Sequence, residues 1–159
     1  VAMLAHALCV IGNERLGKSL NPDRAAVIGM YHDVSEILTG DMPTPVKYFN
    51  RQIRSAYKDV EREANNRLLS LLPQDMRAQF TAVLEPGEEY GQEKRLVKGA
   101  DKLSAYIKCI EERKAGNREF EHAEESTLAA LHELGLEEVE IFLKEFLPAY
   151  EKTLDEIRP

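Results

Sequence analysis

The side chains most able to do chemistry lie close together in the stretch YHDVSEILTGDMPTP, from 31 to 45. His32 and Asp33 are adjacent, and Glu36 follows within one helical turn. On a continuous α-helix, residues three and four apart share a face, so these three side chains are predicted to converge. Imidazole nitrogen together with carboxylate oxygen suits a transition ion such as Zn, Co, Mn or Fe.

A His-Asp pair is by itself a weak indication of metal binding, because an imidazole paired with a neighbouring acid is a common structural arrangement. Here the pair falls between Met30 and Ile37 in an apolar helical pattern, where burial is expected. A buried charge is costly without a partner, and a metal ion is a suitable partner. Both interpretations remain open, and the context favours the metal.

Asp101 is a second candidate, in the stretch LVKGADKLSAYIKC. It adjoins an apolar helical stripe and shares a side of the helix with Val97, Ser104 and Ala105. An acid in this position is by default the edge of an amphipathic face. Asp101 is a candidate functional residue only because the His-Asp motif is also present.

Composition excludes several classes of protein. The chain has 159 residues, with 43% hydrophobic and 31% charged residues, which suits one globular domain over 1–159. A net charge of −7 without a basic run argues against binding a nucleic-acid polymer. No apolar run approaches the roughly 18 residues of a membrane span. Cys9 and Cys109 are predicted to be small buried thiols, which fits the cytoplasm.

Apolar residues recur at helical spacing along the chain, and no segment shows convincing strand alternation. The clearest predicted apolar faces consist of Ile53, Tyr57, Val60, Ala64, Leu68 and Leu71 in one segment and of Leu96, Ala100, Leu103, Ile107 and Ile110 in another. The fold class is therefore predicted to be all-α. Asn21 is a plausible N-cap, Gly12, Gly40 and Gly116 are predicted helix ends, and Pro148 is predicted to kink the last helix. The predicted helices are 1–12, 22–38, 48–72, 73–84, 92–116, 120–133 and 139–154.

Two stretches carry a resemblance to a known family: YHDVSEILTGDMPTPVKYFN and LVKGADKLSAYIKCIEE. Together they resemble the HD-domain metal-dependent phosphohydrolases, and more closely the bacterial 5'-deoxynucleotidases of the YfbR type. The TGD-x-PTPVKY part is far more specific than the His-Asp pair. The resemblance implies an HD-domain helical bundle that hydrolyses deoxyribonucleoside 5'-monophosphates to deoxynucleoside and phosphate. We also expect a homodimer.

The resemblance implies a role for each matching position. His32, Asp33 and Asp101 match ligands of one divalent metal, which is expected to be Co, Mn, Zn, Cu or Fe. Glu36 matches the catalytic acid, and Asp41 is a further catalytic candidate, brought back toward the metal after Gly40. The expected substrate-binding residues are Asp33, Asp41, Met42, Pro43, Thr44 and Asp101, with Pro43 and Pro45 stiffening the loop.

The resemblance also implies a further His ligand and a phosphate-handling Arg-Trp pair at positions before Val1. The chain opens inside a helical pattern, so we expect an N-terminal segment to be missing from it. His6 is out of phase with the expected ligand and is predicted to be structural. His122 and His132 are predicted to lie on the surface.

Three alternatives stay open at this point. The chain could be a nucleotide-binding HD module without turnover, but retention of Glu36 argues against that. It could act on another nucleotide class, such as a nucleoside triphosphate or a cyclic nucleotide. A purely structural helical protein would explain the amphipathic helices but not the clustered acids and the PTP loop.

Overall fold

The computed structural model describes residues 1–47, 49–152 and 154–157, and of residues 44, 45, 154 and 157 it describes the backbone alone. Every regular element in these ranges is helical, which confirms the predicted all-α class. Two short 3-10 turns cover Glu88–Tyr90 and Leu147–Ala149. The helices are α1 Ala2–Leu16, α2 Pro22–Tyr31, α3 Glu36–Thr39, α4 Thr44–Lys47, α5 Arg51–Ser70, α6 Gln74–Leu84, α7 Gly91–Lys114, α8 Glu121–Glu133, α9 Glu137–Glu145 and α10 Leu154–Ile157.

The chain divides into two compact units. The first combines Val1–Gly29 with Glu89–Pro159, and the second is Met30–Glu88. The single domain expected over 1–159 stays a prediction. No helix within the described residues is both long and apolar enough to span a membrane.

The core of the first unit is built around α7. The residues predicted on its apolar stripe are all buried, and α1 and α9 contribute further buried side chains to the same cluster. This is the expected result of apolar residues alternating at spacings of three and four on a helix. The stripe consists of Leu96, Ala100, Leu103, Ile107 and Ile110.

Gly12 does not end the first helix, as the sequence predicted. Helix α1 continues to Leu16 and ends at Gly17, whose φ of 65° is left-handed. Gly12 is instead a packing residue, because a Cβ atom there would lie 2.7 Å from Leu20 Cδ1 and 2.9 Å from Glu138 Oε1. The glycine therefore makes room for a buried carboxylate.

That carboxylate belongs to Glu138, whose relative exposure is 1%. Lys18 Nζ donates to its Oε1 at 2.6 Å, so the buried charge is paired. Nearby, the amide of Asn13 bonds both backbone groups of Leu20, with its Oδ1 accepting at 2.7 Å and its Nδ2 donating at 3.0 Å. These bonds hold the connection between α1 and α2.

The start of α2 agrees with the prediction. Asn21 Oδ1 accepts a hydrogen bond from the N–H of Arg24 at 2.9 Å, as an N-cap residue does. The N–H of Asn21 itself donates to the buried Glu93 Oε1 at 2.9 Å. Asn21 thus holds the start of α2 through both its side chain and its backbone N–H.

Several apolar residues that were expected in the core are exposed. Met30, near the end of α2, is 68% exposed. Ile37 is 73% exposed, because the helix ends at Tyr31 and the predicted apolar face does not continue to Ile37. On α5, Tyr57 is buried as predicted, but Val60 is 49% exposed. Leu71 is 75% exposed because it follows the last residue of that helix.

Pro148 ends a helix and does not kink it. Helix α9 stops at Glu145, and the proline lies in the 3-10 turn that follows. A proline has no N–H to donate and its ring clashes with the preceding turn, so a helix usually stops before it. The predicted continuous helix over 139–154 is therefore wrong.

Cys9 and Cys109 are both free and buried, as predicted. Burial, followed by the charges of Glu93 and Glu138, raises the pKa of Cys9 to about 12. Burial likewise raises the pKa of Cys109. Because the thiolate is the reactive form, neither side chain is suited to act as a nucleophile.

The packing at Gly12 leads to a stability prediction. Gly12→Ala should lower the free energy of unfolding by about 1–3 kcal/mol, because the added methyl presses on a carboxylate that its bond to Lys18 holds in place. Urea unfolding followed by circular dichroism measures the change. Gly91→Ala is the control, since the space at Gly91 is open. Equal effects of the two substitutions would contradict this interpretation of Gly12.

Candidate active site

The segment after α2 is a series of tight turns and not a continuation of the helix. The N–H of Val34 donates to Tyr31 O at 3.1 Å, and that of Glu36 donates to Asp33 O at 2.9 Å. These are i to i+3 bonds, which wind the backbone more tightly than an α-helix. The β-branched Val34 and the short polar Asp33 and Ser35 are poor helix formers.

The predicted convergence on one helical face is therefore wrong in its geometry. His32 and Asp33 lie in the turns, and Glu36 is the first residue of α3. His32 Nε2 lies 2.7 Å from Asp33 Oδ2, so the two side chains are paired directly. The His32 side chain is 23% exposed and that of Asp33 is 54% exposed.

Just before the pair, aromatic packing holds the end of α2. The ring of Tyr31 meets that of Phe80 edge to face, with centroids 6.1 Å apart. This arrangement suits the quadrupoles of the two rings. The residue that precedes His32 is thereby held against α6.

The predicted metal ligands are divided between the two units. His32 and Asp33 lie in the turns of the second unit, and Asp101 lies on α7 of the first unit with its side chain exposed. One nitrogen and two carboxylates are a donor set that fits a divalent transition ion. That they bind one stays a prediction.

Glu36 lies in an acidic environment. Burial, followed by the charges of Asp33 and Asp41, raises the pKa of its carboxyl above the ordinary value, against the opposing charges of Lys47 and His32. A raised pKa brings a carboxyl closer to the range in which it can exchange a proton near neutral pH. A bound cation would act in the opposite direction on the same group.

Gly40 ends α3 and starts the predicted loop. Its N–H donates to Glu36 O at 2.9 Å, which closes the last turn of the helix. With φ 69° and ψ 166°, Gly40 occupies a backbone region that is essentially restricted to glycine. The sequence correctly predicted a helix end here, although the helix that ends is only four residues long.

The residues after Gly40 lie at or near the surface. Asp41 and Pro43 are exposed and Met42 is half-buried. The loop is short, because α4 begins at Thr44, a helix that was not predicted. The side chains of Thr44 and Pro45 lie outside the described residues.

Three residues that hold this loop were not recognised as functional from the sequence. Tyr57 Oη donates to Gly40 O at 3.1 Å, Lys47 Nζ lies 4.8 Å from the centroid of the Tyr57 ring, and Lys47 donates to Glu61 Oε1 at 2.9 Å. Tyr57 was predicted only as an apolar residue of α5. The signal that could have identified these contacts is the spacing of Tyr57 and Glu61, which are four apart on one helix.

The other histidines lie at the surface. His6 Nε2 is 3.9 Å from Asp23 Oδ1, and the His6 side chain is 47% exposed. His122 is exposed. His132 Nδ1 lies 2.7 Å from Glu140 Oε1, with the side chain 53% exposed. The prediction of a surface position is confirmed for His122 and His132.

Comparison with known proteins identifies a family of enzymes. The family described as 5'-deoxynucleotidase YfbR-like matches residues 1–150. A 5'-deoxynucleotidase of Vibrio cholerae is 48% identical over 99% of this chain and 81% of its own length. The 5'-deoxynucleotidase YfbR of Escherichia coli is 45% identical over 99% of this chain and 79% of its own length.

A solved structure supports the fold. The crystal structure of an HD-domain phosphohydrolase from Listeria innocua superposes with a TM-score of 0.76 at 26% sequence identity. The match covers 94% of this chain and 74% of that protein. The helical arrangement expected of an HD domain is therefore confirmed.

The backbone of Gly40 leads to a second stability prediction. Gly40→Asn should lower the free energy of unfolding by about 1–3 kcal/mol, because an asparagine tolerates the left-handed region but not the conformation of Gly40. Gly17→Asn is the matched control, since Gly17 has φ 65° and ψ 26° and equally open space. Thermal unfolding should show a smaller loss for Gly17→Asn, and the reverse order would show that the conformation of Gly40 is not restrictive.

Proposed function

Because this chain belongs to the family of YfbR-like 5'-deoxynucleotidases, we propose that His32, Asp33 and Asp101 hold the divalent metal of its active site. The chain is a phosphomonoester hydrolase that releases phosphate from deoxyribonucleoside 5'-monophosphates. The observation that carries the proposal is the direct pairing of His32 Nε2 with Asp33 Oδ2 at 2.7 Å, with the carboxyl of Glu36 close enough for both charges to affect its pKa.

The metal is one divalent transition ion, with Co, Mn, Zn, Cu and Fe as the candidates. When bound, such an ion polarises a phosphoryl oxygen and lowers the pKa of water. His32 supplies a nitrogen, and Asp33 and Asp101 supply oxygens, which is a set that does not select strongly among these ions. The two aspartates also lie beside the substrate in this proposal.

Glu36 acts as the general acid or base. Hydrolysis forms a bond between a water oxygen and phosphorus and breaks the bond to the 5'-oxygen of the sugar. The attacking water must lose a proton and the leaving oxygen must gain one, and a carboxyl can carry out such transfers. The partly buried position of Glu36, one turn beyond Asp33, supports its assignment to this role.

The loop after Gly40 contacts the sugar. Asp41 either accepts a hydrogen bond from a sugar hydroxyl or assists the leaving 5'-oxygen. Met42, Pro43 and Thr44 form part of a wall near C2' that has no room for the extra hydroxyl of a ribonucleotide. The hydrogen bonds from Tyr57 to Gly40 and from Lys47 to Glu61 connect this loop to α5 and support the assignment. Selectivity against a single hydroxyl requires a rigid binding surface.

Further features of the proposal follow from the family and from composition. We expect the enzyme to act in the cytoplasm, where its two free cysteines stay reduced, and to form a homodimer. The net charge of −7 favours a small nucleotide over a nucleic-acid polymer as the substrate. A nucleotide-binding module without turnover is disfavoured by the presence of Glu36 beside the ligands.

The metal site leads to a prediction that separates ligands from catalytic groups. Asp33→Asn and Asp101→Asn should each weaken Mn²⁺ binding by at least about tenfold, because each removes a charged ligand. Glu36→Gln should bind Mn²⁺ normally while hydrolysis of dAMP falls by a factor of about 100 or more. Calorimetric titration and phosphate release measure the two effects.

His122→Asn serves as the control in the same titrations, since His122 is exposed and has no place in the proposed site. A loss of Mn²⁺ affinity in Glu36→Gln as large as that in Asp33→Asn would make Glu36 a ligand. Unchanged affinity in Asp101→Asn would remove that residue from the ligand set.

Substrate selectivity tests the proposed function itself. The enzyme should hydrolyse dAMP, dCMP and dTMP at similar rates and AMP much more slowly, because the loop after Gly40 excludes a 2'-hydroxyl. Phosphate release with added Co²⁺ or Mn²⁺ measures these rates. Equal rates for AMP and dAMP would contradict the proposal that the loop after Gly40 excludes a 2'-hydroxyl. Faster phosphate release from dATP or a cyclic nucleotide would indicate a substrate of another nucleotide class.

A further inference from the structure

We propose that Tyr57 is a positioning residue for Asp41, and that its hydroxyl sets the orientation of the peptide group from which Asp41 begins. The inference rests on the proposed role of Asp41 in the active site. It adds a residue of α5 to the machinery of the reaction, although Tyr57 itself is 6% exposed and is not assigned to touch the substrate.

The first step is the hydrogen bond between the two segments. Tyr57 Oη donates to the carbonyl oxygen of Gly40 at 3.1 Å. That carbonyl and the N–H of Asp41 belong to one planar peptide unit, so a bond that orients the carbonyl also orients the start of Asp41. Because the Tyr57 side chain is buried, its hydroxyl has few alternative positions.

The second step concerns the alternatives that the backbone would otherwise have. Gly40 has no Cβ, and open space surrounds the position where one would be, so nothing in its own side chain restricts the peptide that follows. Thr39 Oγ1 also donates to Gly40 O, at 2.9 Å, but Thr39 directly precedes Gly40 and does not connect the loop to another helix. Tyr57 lies 17 residues away in sequence, on the 20-residue helix α5. Its hydrogen bond therefore fixes the Gly40 carbonyl relative to that helix.

The third step is that Tyr57 contacts both ends of the loop. Its ring lies beneath Lys47, with Nζ 4.8 Å from the ring centroid, and Lys47 is the last residue of α4. The same ammonium donates to Glu61 Oε1 at 2.9 Å, and Glu61 lies one turn along α5 from Tyr57. The hydroxyl thus holds the beginning of the loop, while the ring and Glu61 hold its end.

A hydroxyl deletion tests this arrangement with little other change. Tyr57→Phe keeps the ring beneath Lys47 and removes only the bond to Gly40. We expect dAMP turnover to fall by about tenfold to a hundredfold, since a catalytic group displaced by about 1 Å can lose that much rate. Mn²⁺ affinity should be unchanged, because none of the proposed ligands lies in the loop.

The decisive measurement is a double-mutant cycle with Asp41→Asn. If Tyr57 acts through Asp41, Tyr57→Phe should lower turnover in the wild-type background and have no further effect in the Asp41→Asn background. A merely structural contribution would lower dAMP turnover by the same factor in both backgrounds. Tyr106→Phe is the matched control, because Tyr106 is a buried tyrosine of the first unit, and its cycle with Asp41→Asn should show no coupling.

The outcomes separate the inference from the proposed function. Additive effects of Tyr57→Phe and Asp41→Asn would overturn the positioning role while leaving Asp41 in the active site. Normal dAMP hydrolysis by Asp41→Asn would overturn the proposed role of Asp41 and with it the inference. Hydrolysis of dAMP by the wild type, which tests the activity alone, is measured in the same series.

A second variant covers the case in which Tyr57→Phe does not fold, which a circular-dichroism melt would show. Glu61→Gln leaves the Tyr57 hydroxyl in place and weakens the hold on Lys47. It should lower dAMP turnover relative to the wild type, and this effect should vanish in the Asp41→Asn background. Full additivity in this cycle would overturn the positioning role independently.

Discussion

Repulsion between carboxylates is the constraint on which the rest of the site depends. Asp33 and Asp41 place negative charge near the carboxyl of Glu36, and His32 Nε2 lies 2.7 Å from Asp33 Oδ2. Two like charges about 4 Å apart repel by about 4 kcal/mol near a protein surface. Such a cluster is stable only if positive charge or protons lie among the carboxylates, or if the surrounding structure gives the acids no freedom to separate. Burial, followed by the charges of Asp33 and Asp41, raises the pKa of Glu36, so this repulsion is one contribution to the shift.

The local structure restricts that freedom by several short-range devices. Hydrogen bonds between residues three apart tighten the backbone at Asp33 and Glu36, and the ring of Phe80 holds Tyr31 just before them. After α3, the conformation of Gly40 redirects the chain, and Tyr57 holds the carbonyl that precedes Asp41. Each device is weak alone, since a single hydrogen bond contributes about 1 kcal/mol net. Together they keep acidic side chains in place at the end of a helix only four residues long.

The sequence predicted the class of fold better than it predicted the local geometry around the candidate site residues. The stripe on α7, from Leu96 to Ile110, was correct because it depends only on helical periodicity, which a long buried helix preserves. The continuous helix through His32 was wrong because apolar spacing persists across the turns, where the backbone has already changed its hydrogen bonding. Gly12 was misinterpreted for a different reason. A glycine that ends a helix and one that admits a distant carboxylate look the same in sequence, and only the position of Glu138 separates them.

The proposed ligands also differ in how firmly the chain holds them. Asp101 lies on α7, a 24-residue helix, and directly follows Ala100, which is completely buried in the core of the first unit. Moving its backbone would disturb close-packed side chains, so this ligand is presented from a rigid element. His32 and Asp33 belong instead to turns whose backbone is held by individual hydrogen bonds. The proposed ligands are therefore held by different means, Asp101 by the close packing around α7 and the His32–Asp33 pair by local hydrogen bonds.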